Sequence, residues 1–273
     1  MTSYWPTLAA LPRDTVSALT FLSRLPVPAA GHERPDFTRV PAAFPLAGLL
    51  IGLGPAAVCL ASVGIGLSPL VAAILAVAAL AIITGALHED GLADCADGFF
   101  GAASPERKRA IMRDPTVGVF GVLALIFSVG LRIALLAALL GTGWVAGVTA
   151  LICGSILSRA SMVGVWHVLP AAPAIEDGRK GESLARRFGE PSRVAVLVAA
   201  ALSVIATALL VLLFGAPLIA CLLMPVAAGL AGLPVGWLAQ RHIGGHTGDV
   251  LGATQQVSEV GVYLALAITM SAP

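Results

Sequence analysis

The chain has 273 residues, of which 58% are hydrophobic and 11% are charged, and its formal net charge is +1. Soluble globular domains contain about 45–50% apolar and about 25% charged residues, so this composition excludes an ordinary soluble domain. A net charge so close to zero provides no general attraction for a polyanion, and no nucleic-acid partner is expected. The composition is that of a polytopic membrane protein.

The amino-terminal segment, residues 1–40, is assigned to the cytoplasm or the membrane interface. Pro6 and the charged pair Arg13–Asp14 interrupt it, so no cleavable signal peptide is predicted. Residues 14–25 are predicted to form an amphipathic helix that lies on the cytoplasmic surface.

The rest of the chain is organised by apolar stretches. A bilayer core about 30 Å thick is crossed by about 20 apolar residues in a helix. We therefore predict an all-α, polytopic helical bundle with about seven transmembrane helices, forming a single membrane domain over residues 1–273. The stretches are roughly 42–64, 68–87, 117–139, 144–165, 194–214, 217–239 and a short last one, 258–271. The length of the last stretch leaves open whether it crosses the membrane fully.

Lysine and arginine residues occupy one set of loops. Of the 16, only Arg132 and Arg159 fall within predicted spans, and the turns near residues 66, 141–143 and 215–217 carry no charge. The positive-inside rule places the charged loops in the cytoplasm. We expect a multi-pass protein of the bacterial cytoplasmic (inner) membrane, in contact with membrane lipid, with its active site facing the cytoplasm.

The acidic motif at residues 88–98 reads His-Glu-Asp-Gly-Leu-Ala-Asp-Cys-Ala-Asp-Gly. On a helix, Asp90, Asp94 and Asp97 would share one stripe, because positions i, i+4 and i+7 lie within an arc of about 60°. Carboxylates so close together repel one another, and oxygen ligands suit a hard cation such as Mg²⁺. The sequence predicts a Mg²⁺ site formed by these three aspartates.

The acidic motif opens a segment, residues 88–116, that we interpret as a catalytic cytoplasmic loop. Ser104 as a cap and Pro105 at the first position predict a short helix over Glu106–Arg113. For the basic residues 107–109 the alternative is a solvated loop face without a role in binding.

A second motif, Gly244-Gly245-His246-Thr247-Gly248-Asp249, lies at the cytoplasmic end of the last predicted hairpin. Glycines with Thr and Asp favour a turn that cradles phosphate, and a flexible glycine-rich turn is the alternative. Arg159 lies near the cytoplasmic end of its predicted span, within reach of the acidic site or of a substrate phosphate. Arg132, deeper in its span, is expected to pair structurally or to extend toward the interface.

Several short sequence blocks occur along the chain: residues 21–28 (FLSRLPVP), 44–50 (FPLAGLL), 88–98 (HEDGLADCADG), 111–115 (IMRDP) with Gly118, Ser158-Arg159, and 244–253 (GGHTGDVLGA) with Glu259. In these blocks and in their order, the chain resembles the adenosylcobinamide-GDP ribazoletransferase (cobalamin synthase) family. Within the acidic motif, Glu89 replaces an apolar residue and Cys95 a threonine that are usual in that family.

This resemblance implies an enzyme that joins α-ribazole, or its 5′-phosphate, to adenosylcobinamide-GDP with Mg²⁺ and releases GMP. Phosphoryl transfer of this kind needs charge neutralisation, in-line positioning and a base for the hydroxyl proton. We assign the catalytic role to Asp94, Asp97, Asp114 and Asp249, and the metal to Asp90, Asp94 and Asp97. Substrate binding is assigned to His88, Arg113, Arg159, Gly245, Thr247, Gly248 and Glu259. A homo-oligomer, or contact with other cobalamin-assembly enzymes, is left open.

Two other functions compete with this interpretation. Another Mg²⁺-dependent membrane phosphotransferase, of the CDP-alcohol type, would show a similar acidic motif. A transporter is disfavoured, because transport generally needs polar groups near the bilayer midplane and the acidic residues here crowd one face.

Overall fold

The computed structural model describes residues 10–27, 35–173 and 189–271. Within these ranges the chain is almost entirely helical and forms no β-strand, which confirms the predicted all-α class. The helices are α1 (Leu11–Leu22), a 3₁₀ turn (Val40–Ala43), α2 (Phe44–Gly64), α3 (Pro69–Thr84), α4 (Leu87–Gly101), α5 (Pro105–Ile111), α6 (Val119–Thr142), α7 (Trp144–Val168), α8 (Arg193–Phe214), α9 (Ala220–Ile243) and α10 (Gly248–Ser271).

Five of these helices are long and apolar enough to cross a membrane, so the chain is a multi-pass membrane protein. They are Val40–Gly64, which joins the 3₁₀ turn to α2, and α6, α7, α8 and α9. Each corresponds to a predicted span. The two other predicted spans, 68–87 and 258–271, fold differently, so the predicted number of seven is not established.

The predicted span at 68–87 ends early, because the chain bends by 89° between α3 and α4. The two helices together would make a sixth, broken span. The predicted short span at 258–271 belongs to α10, which is 24 residues long but is not among the candidate spans. Gln255, Gln256 and Glu259 make the first half of α10 too polar.

Helix α7 lies at the centre of the bundle. In its apolar stretch 78% of the residues are buried, compared with 17% in α6 and 22% in α8. The outer helices expose large apolar side chains instead, among them Phe127, Leu209 and Leu213. Exposed apolar side chains on a helix of this length are those expected to face lipid.

Helix α1 confirms the helix predicted at 14–25, although it begins earlier and ends at Leu22. Asp14 in α1 is buried and accepts hydrogen bonds from Arg39 at 2.8 and 3.0 Å. Phe21 at the end of α1 packs against Phe37 and Phe44, and Phe44 contacts Trp166 in α7. These contacts fix the helix against the central bundle.

The segment predicted as a loop at 88–116 is mostly helical, which corrects that prediction. Helix α5 confirms the predicted short helix and its cap, since the Arg107 amide donates to Ser104 Oγ at 3.3 Å. Lys108 is buried, donates to the Phe99 carbonyl at 2.6 Å and contacts His242. The solvated-face alternative is therefore wrong for Lys108, which ties α5 to α4 and α9.

Candidate active site

The bend between α3 and α4 sets the direction of the acidic helix. Gly85 ends α3 with φ 64°, and Ala86 follows with φ 55°. A non-glycine residue in the left-handed region costs roughly 1–2 kcal/mol. The Gly85 and Ala86 amides donate to Ile82 and Ala81, which satisfies the last carbonyls of α3. Helix α4 can therefore start in a new direction directly after α3.

Two glycines let α4 and α10 approach closely. A Cβ at Gly91 would lie 2.8 Å from the Asp249 backbone, and one at Gly252 would lie 3.2 Å from the Cα of His88. Helix backbones come this near only where the residue at each point of contact has no side chain of its own. The crossing brings Asp90 and Asp94 on α4 next to Asp249 at the start of α10.

Asp90, Asp94 and Asp249 form an acidic cluster. Burial and the neighbouring carboxylates, Asp249 foremost, raise the pKa of Asp94 to about 7. Burial, with the charge of Asp90, raises the pKa of Asp249 to about 6, while Thr247 and Arg113 oppose that rise. The three carboxylates thus repel one another, and a bound cation would relieve the repulsion.

Asp97, the third aspartate of the predicted stripe, has different surroundings. Its carboxylate is buried and accepts hydrogen bonds from the amides of Gly118 at 2.7 Å and Gly121 at 2.9 Å, at the start of α6. A Cβ at either glycine would lie 2.5 Å or less from a carboxylate oxygen of Asp97. Asp97 therefore anchors the N-terminus of α6 to α4, a contact that sequence reasoning missed.

Two charged residues follow α5, and only one of them acts on the acidic cluster. Arg113 is exposed, and its positive charge acts on Asp249. Asp114 is exposed and accepts hydrogen bonds from the amide and hydroxyl of Thr116. Those bonds lower the pKa of Asp114. The structure brings Arg113 to the cluster and gives Asp114 a place in the turn before α6.

The predicted glycine-rich turn joins α9 to α10. Gly244 and Gly245 have φ values of 79° and 155°, and a Cβ at Gly245 would lie 2.1 Å from the Pro170 carbonyl oxygen. The His246 amide donates to that carbonyl at 2.8 Å. Thr247 Oγ1 donates to Asp249 at 3.2 Å and accepts from the Val250 amide at 3.3 Å, which caps α10. The turn is therefore held against the chain that follows α7, and the phosphate-binding role of Gly245, Thr247 and Gly248 stays a prediction.

A cavity of about 220 Å³ lies beside the acidic cluster. Asp90 and Asp249 are part of its wall, together with His88, His246 and Gly248. Burial lowers the pKa of His246 to about 4, so its imidazole is neutral near pH 7. The remaining wall is largely apolar and is formed by Phe21, Leu22, Leu87, Met162, Trp166, Leu251 and Gly252.

Arg159 and Glu259, both predicted to bind substrate, lie in a buried polar network. Arg159 is fully buried and donates to Ser158 Oγ at 3.2 Å and to the Ser155 carbonyl at 3.4 Å. Glu259 is fully buried and accepts from Arg132, at 3.4 Å, and from Tyr263, at 3.3 Å. Neither side chain is part of the cavity wall, so their proposed contact with substrate stays a prediction.

Glu89 on α4 belongs to the same network. Its carboxylate accepts from Arg132 at 3.1 Å and from Gln256 at 3.1 Å. This pairing confirms the structural alternative for Arg132. It also places acidic residues inside the bundle, where the sequence had suggested none.

No group of three or more His, Cys, Asp and Glu side chains in the described part of the chain has the arrangement of a complete metal site. Mg²⁺ is usually held by one or two carboxylates, with waters and substrate phosphates as its remaining ligands. The carboxylate oxygens of Asp90 and Asp94, and the repulsion among the three carboxylates of the acidic cluster, fit such a partial site. The four cysteines, all in the described part of the chain, are free thiols.

Comparison with known proteins identifies the family to which the chain belongs. The family described as cobalamin-5-phosphate synthase matches residues 14–267. The chain belongs to this family. A relative from Sinorhizobium medicae, named adenosylcobinamide-GDP ribazoletransferase, is 46% identical over 264 residues, which cover 94% of this chain and 97% of the relative. One of the same name from Azorhizobium caulinodans is 42% identical over 261 residues, covering 93% and 95%.

No solved structure matches the chain. The positions of the resembling sequence blocks relative to one another are therefore taken from the contacts described above. In this chain, the acidic motif at residues 88–98 and the glycine-rich motif at residues 244–249 meet where α4 crosses α10.

Proposed function

We propose that this chain catalyses the reaction for which its relatives are named, the transfer of adenosylcobinamide phosphate from adenosylcobinamide-GDP to ribazole. A secondary hydroxyl of the ribose, which α-ribazole and its 5′-phosphate both carry, would attack the phosphorus next to cobinamide. The bond to the bridging oxygen of the diphosphate would break, and GMP would leave with that oxygen. The observation that carries the proposal is the meeting of Asp90, Asp94 and Asp249 beside a cavity and facing Arg113.

Each charged group at the site has a task in this chemistry. Asp90 and Asp94, one helical turn apart on α4, would hold Mg²⁺. When bound, the ion would neutralise charge on the diphosphate. Arg113 would neutralise a further phosphate oxygen from the exposed side of the cluster.

Asp249 is the base that we favour for the hydroxyl proton. It lines the cavity, and its raised pKa brings it nearer to the range in which a carboxylate accepts and releases a proton at neutral pH. Asp114, another of the residues assigned a catalytic role, accepts hydrogen bonds from Thr116 in an exposed turn. Asp97 would support the site by keeping α6 against α4.

We infer the location of the enzyme from the charge distribution. The charged segments, including the acidic cluster, would face the cytoplasm, and the five apolar helices would lie in the bacterial inner membrane. Both substrates carry phosphate or ribose groups, and the cytoplasmic face would give them access from water.

Asp94→Asn tests the metal assignment. Purified protein in detergent is assayed for GMP release with α-ribazole and adenosylcobinamide-GDP over a range of Mg²⁺ concentrations. We expect release to fall by about 100-fold and the Mg²⁺ requirement to rise, because one charged ligand is lost.

The matched control is Asp36→Asn, an exposed aspartate that caps its own turn through Thr38 and lies outside the cluster. It should release GMP at the unaltered rate. Normal activity and normal Mg²⁺ dependence in Asp94→Asn would remove Asp94 from the metal site. Failure of the unsubstituted protein to release GMP would contradict the proposed reaction itself.

A further inference from the structure

The cavity beside the acidic cluster has a composition that points to one part of a substrate. Its volume is about 220 Å³, below the roughly 300–1,000 Å³ of pockets that take whole drug-sized ligands. Phe21, Leu22, Met162 and Trp166 give it apolar and aromatic walls on the side of α1 and α7. A flat, mostly apolar ring system would fill such a space.

Two buried histidines in the wall have ring nitrogens without a hydrogen-bond partner in the described part of the chain. His246 and His88 are each 1% exposed. Among the described residues, neither ring nitrogen of His246, nor Nε2 of His88, has a hydrogen-bond partner. Buried polar atoms are nearly always paired in folded proteins, because an unpaired one loses its bonds to water without replacement. A ligand in the cavity would supply the missing partner.

The protonation state of His246 defines what that partner can be. Its ring is neutral near pH 7, since burial lowers its pKa to about 4. A neutral imidazole has one N–H donor and one acceptor nitrogen. It therefore suits a neutral ligand with a ring nitrogen that accepts one hydrogen bond.

We propose that the cavity binds the base of the acceptor nucleoside, with His246 donating a hydrogen bond to its unsubstituted ring nitrogen. This inference rests on the proposed function and adds the subsite for one substrate. The base of ribazole is dimethylbenzimidazole, a neutral bicyclic ring with two methyl groups and one such nitrogen. Asp90 and Asp249, in the same wall, would then face the ribose and its attacking hydroxyl.

The other substrate groups fit the cavity less well. Guanine carries several polar atoms on its edges, and each would need a partner in a wall that is largely apolar. The corrin ring is far larger than the space. The cavity's size and polarity thus select the benzimidazole base.

The test compares α-ribazole with its indole analogue, the 5,6-dimethylindole α-riboside, in which a C–H replaces the accepting ring nitrogen. Equilibrium binding of each riboside to the purified full-length chain is measured without Mg²⁺ and without adenosylcobinamide-GDP. The unsubstituted protein should bind α-ribazole about tenfold more tightly than the indole riboside. In His246→Leu the two dissociation constants should agree within about twofold, because the donor is absent.

His167→Leu is the matched control. His167 lies on α7 beside Trp166 but is not part of the cavity wall, and its Nδ1 contacts the Pro191 carbonyl. This variant should keep the tenfold preference. Circular dichroism and thermal unfolding in detergent check that both variants fold, and the comparison of ribosides in the unsubstituted protein needs no variant.

Equal binding of the two ribosides by the unsubstituted protein would overturn the assignment, as would a tenfold preference that persists in His246→Leu. GMP release measured in parallel separates the two proposals. Release from adenosylcobinamide-GDP and α-ribazole without discrimination against the indole riboside would contradict only the base subsite. Absence of both release and riboside binding would contradict the function and the subsite together.

Discussion

The carboxylate of Asp97 meets two backbone amides at the beginning of α6, whereas Asp94, on the same face of α4, meets the charges of Asp90 and Asp249. A carboxylate at a helix N-terminus satisfies amides that have no partner within the helix. The same residue type on one helical stripe therefore serves two purposes. Asp97 fixes helix position, and Asp94 contributes charge at the cavity side.

Asp97→Asn separates these purposes. The change removes the negative charge and one of the two acceptor oxygens, so we expect the free energy of unfolding to fall by about 1–3 kcal/mol. The Mg²⁺ concentration for half-maximal GMP release should stay within about twofold of the original. Thermal unfolding in detergent and a Mg²⁺ titration of activity measure the two effects, with Asp94→Asn as the comparison. An increase of about tenfold in the Mg²⁺ requirement would return Asp97 to the metal ligands.

Part of this site could be predicted from the sequence. The spacing of Asp90, Asp94 and Asp97 predicted their common helix face, and charge placement put Asp249 on the same side of the membrane. The anchor at Asp97 was not predictable in this way, because its partners are backbone amides of Gly118 and Gly121 with no side-chain signal. Glu89 and Arg132 lie 43 positions apart, and only the packing of α4 against α6 reveals them as a pair.

The bend between α3 and α4 determines where the acidic helix lies. Ala86 adopts the left-handed conformation there, and the chain turns by 89°. Hydropathy predicted a span through this region but gave no sign of the bend, since Ala86 is a strong helix former by propensity. The length of an apolar stretch is visible in the sequence. A positive φ at an alanine depends on the tertiary contacts that hold it there.

Ala86→Gly tests whether the bend stores strain. Glycine adopts a positive φ without the steric cost that alanine pays, so we expect the variant to be more stable by about 1 kcal/mol. Ala78→Gly, at an exposed position within α3, is the control and should lose about 0.5–1 kcal/mol. Thermal unfolding of the two variants in the same detergent gives the comparison. A destabilisation of both by the same amount would show that Ala86 is not strained.

The distribution of charge over the whole molecule predicts its orientation in the membrane. Arg107 on α5 is exposed, in the segment assigned to the cytoplasm. Three of the four native cysteines are buried and Cys221 is partly buried, so their background labelling should be low.

Arg107→Cys tests this orientation with a membrane-impermeant maleimide. Residue 107 should react in inside-out vesicles and remain unlabelled in intact spheroplasts. The chain without the substitution gives the background in both preparations. Labelling of residue 107 in spheroplasts would place the acidic cluster on the outer face and contradict the proposed location.

The crossing of α4 and α10 has a consequence for how the enzyme is made. Asp90 and Asp94 are synthesised long before Asp249, which lies at the start of the last helix in the described part of the chain. Gly91 and Gly252 permit these two helices to touch, and the acidic cluster exists only once they have done so. A nascent chain therefore has no acidic cluster until residues 248–271 have been synthesised and α10 has docked against α4.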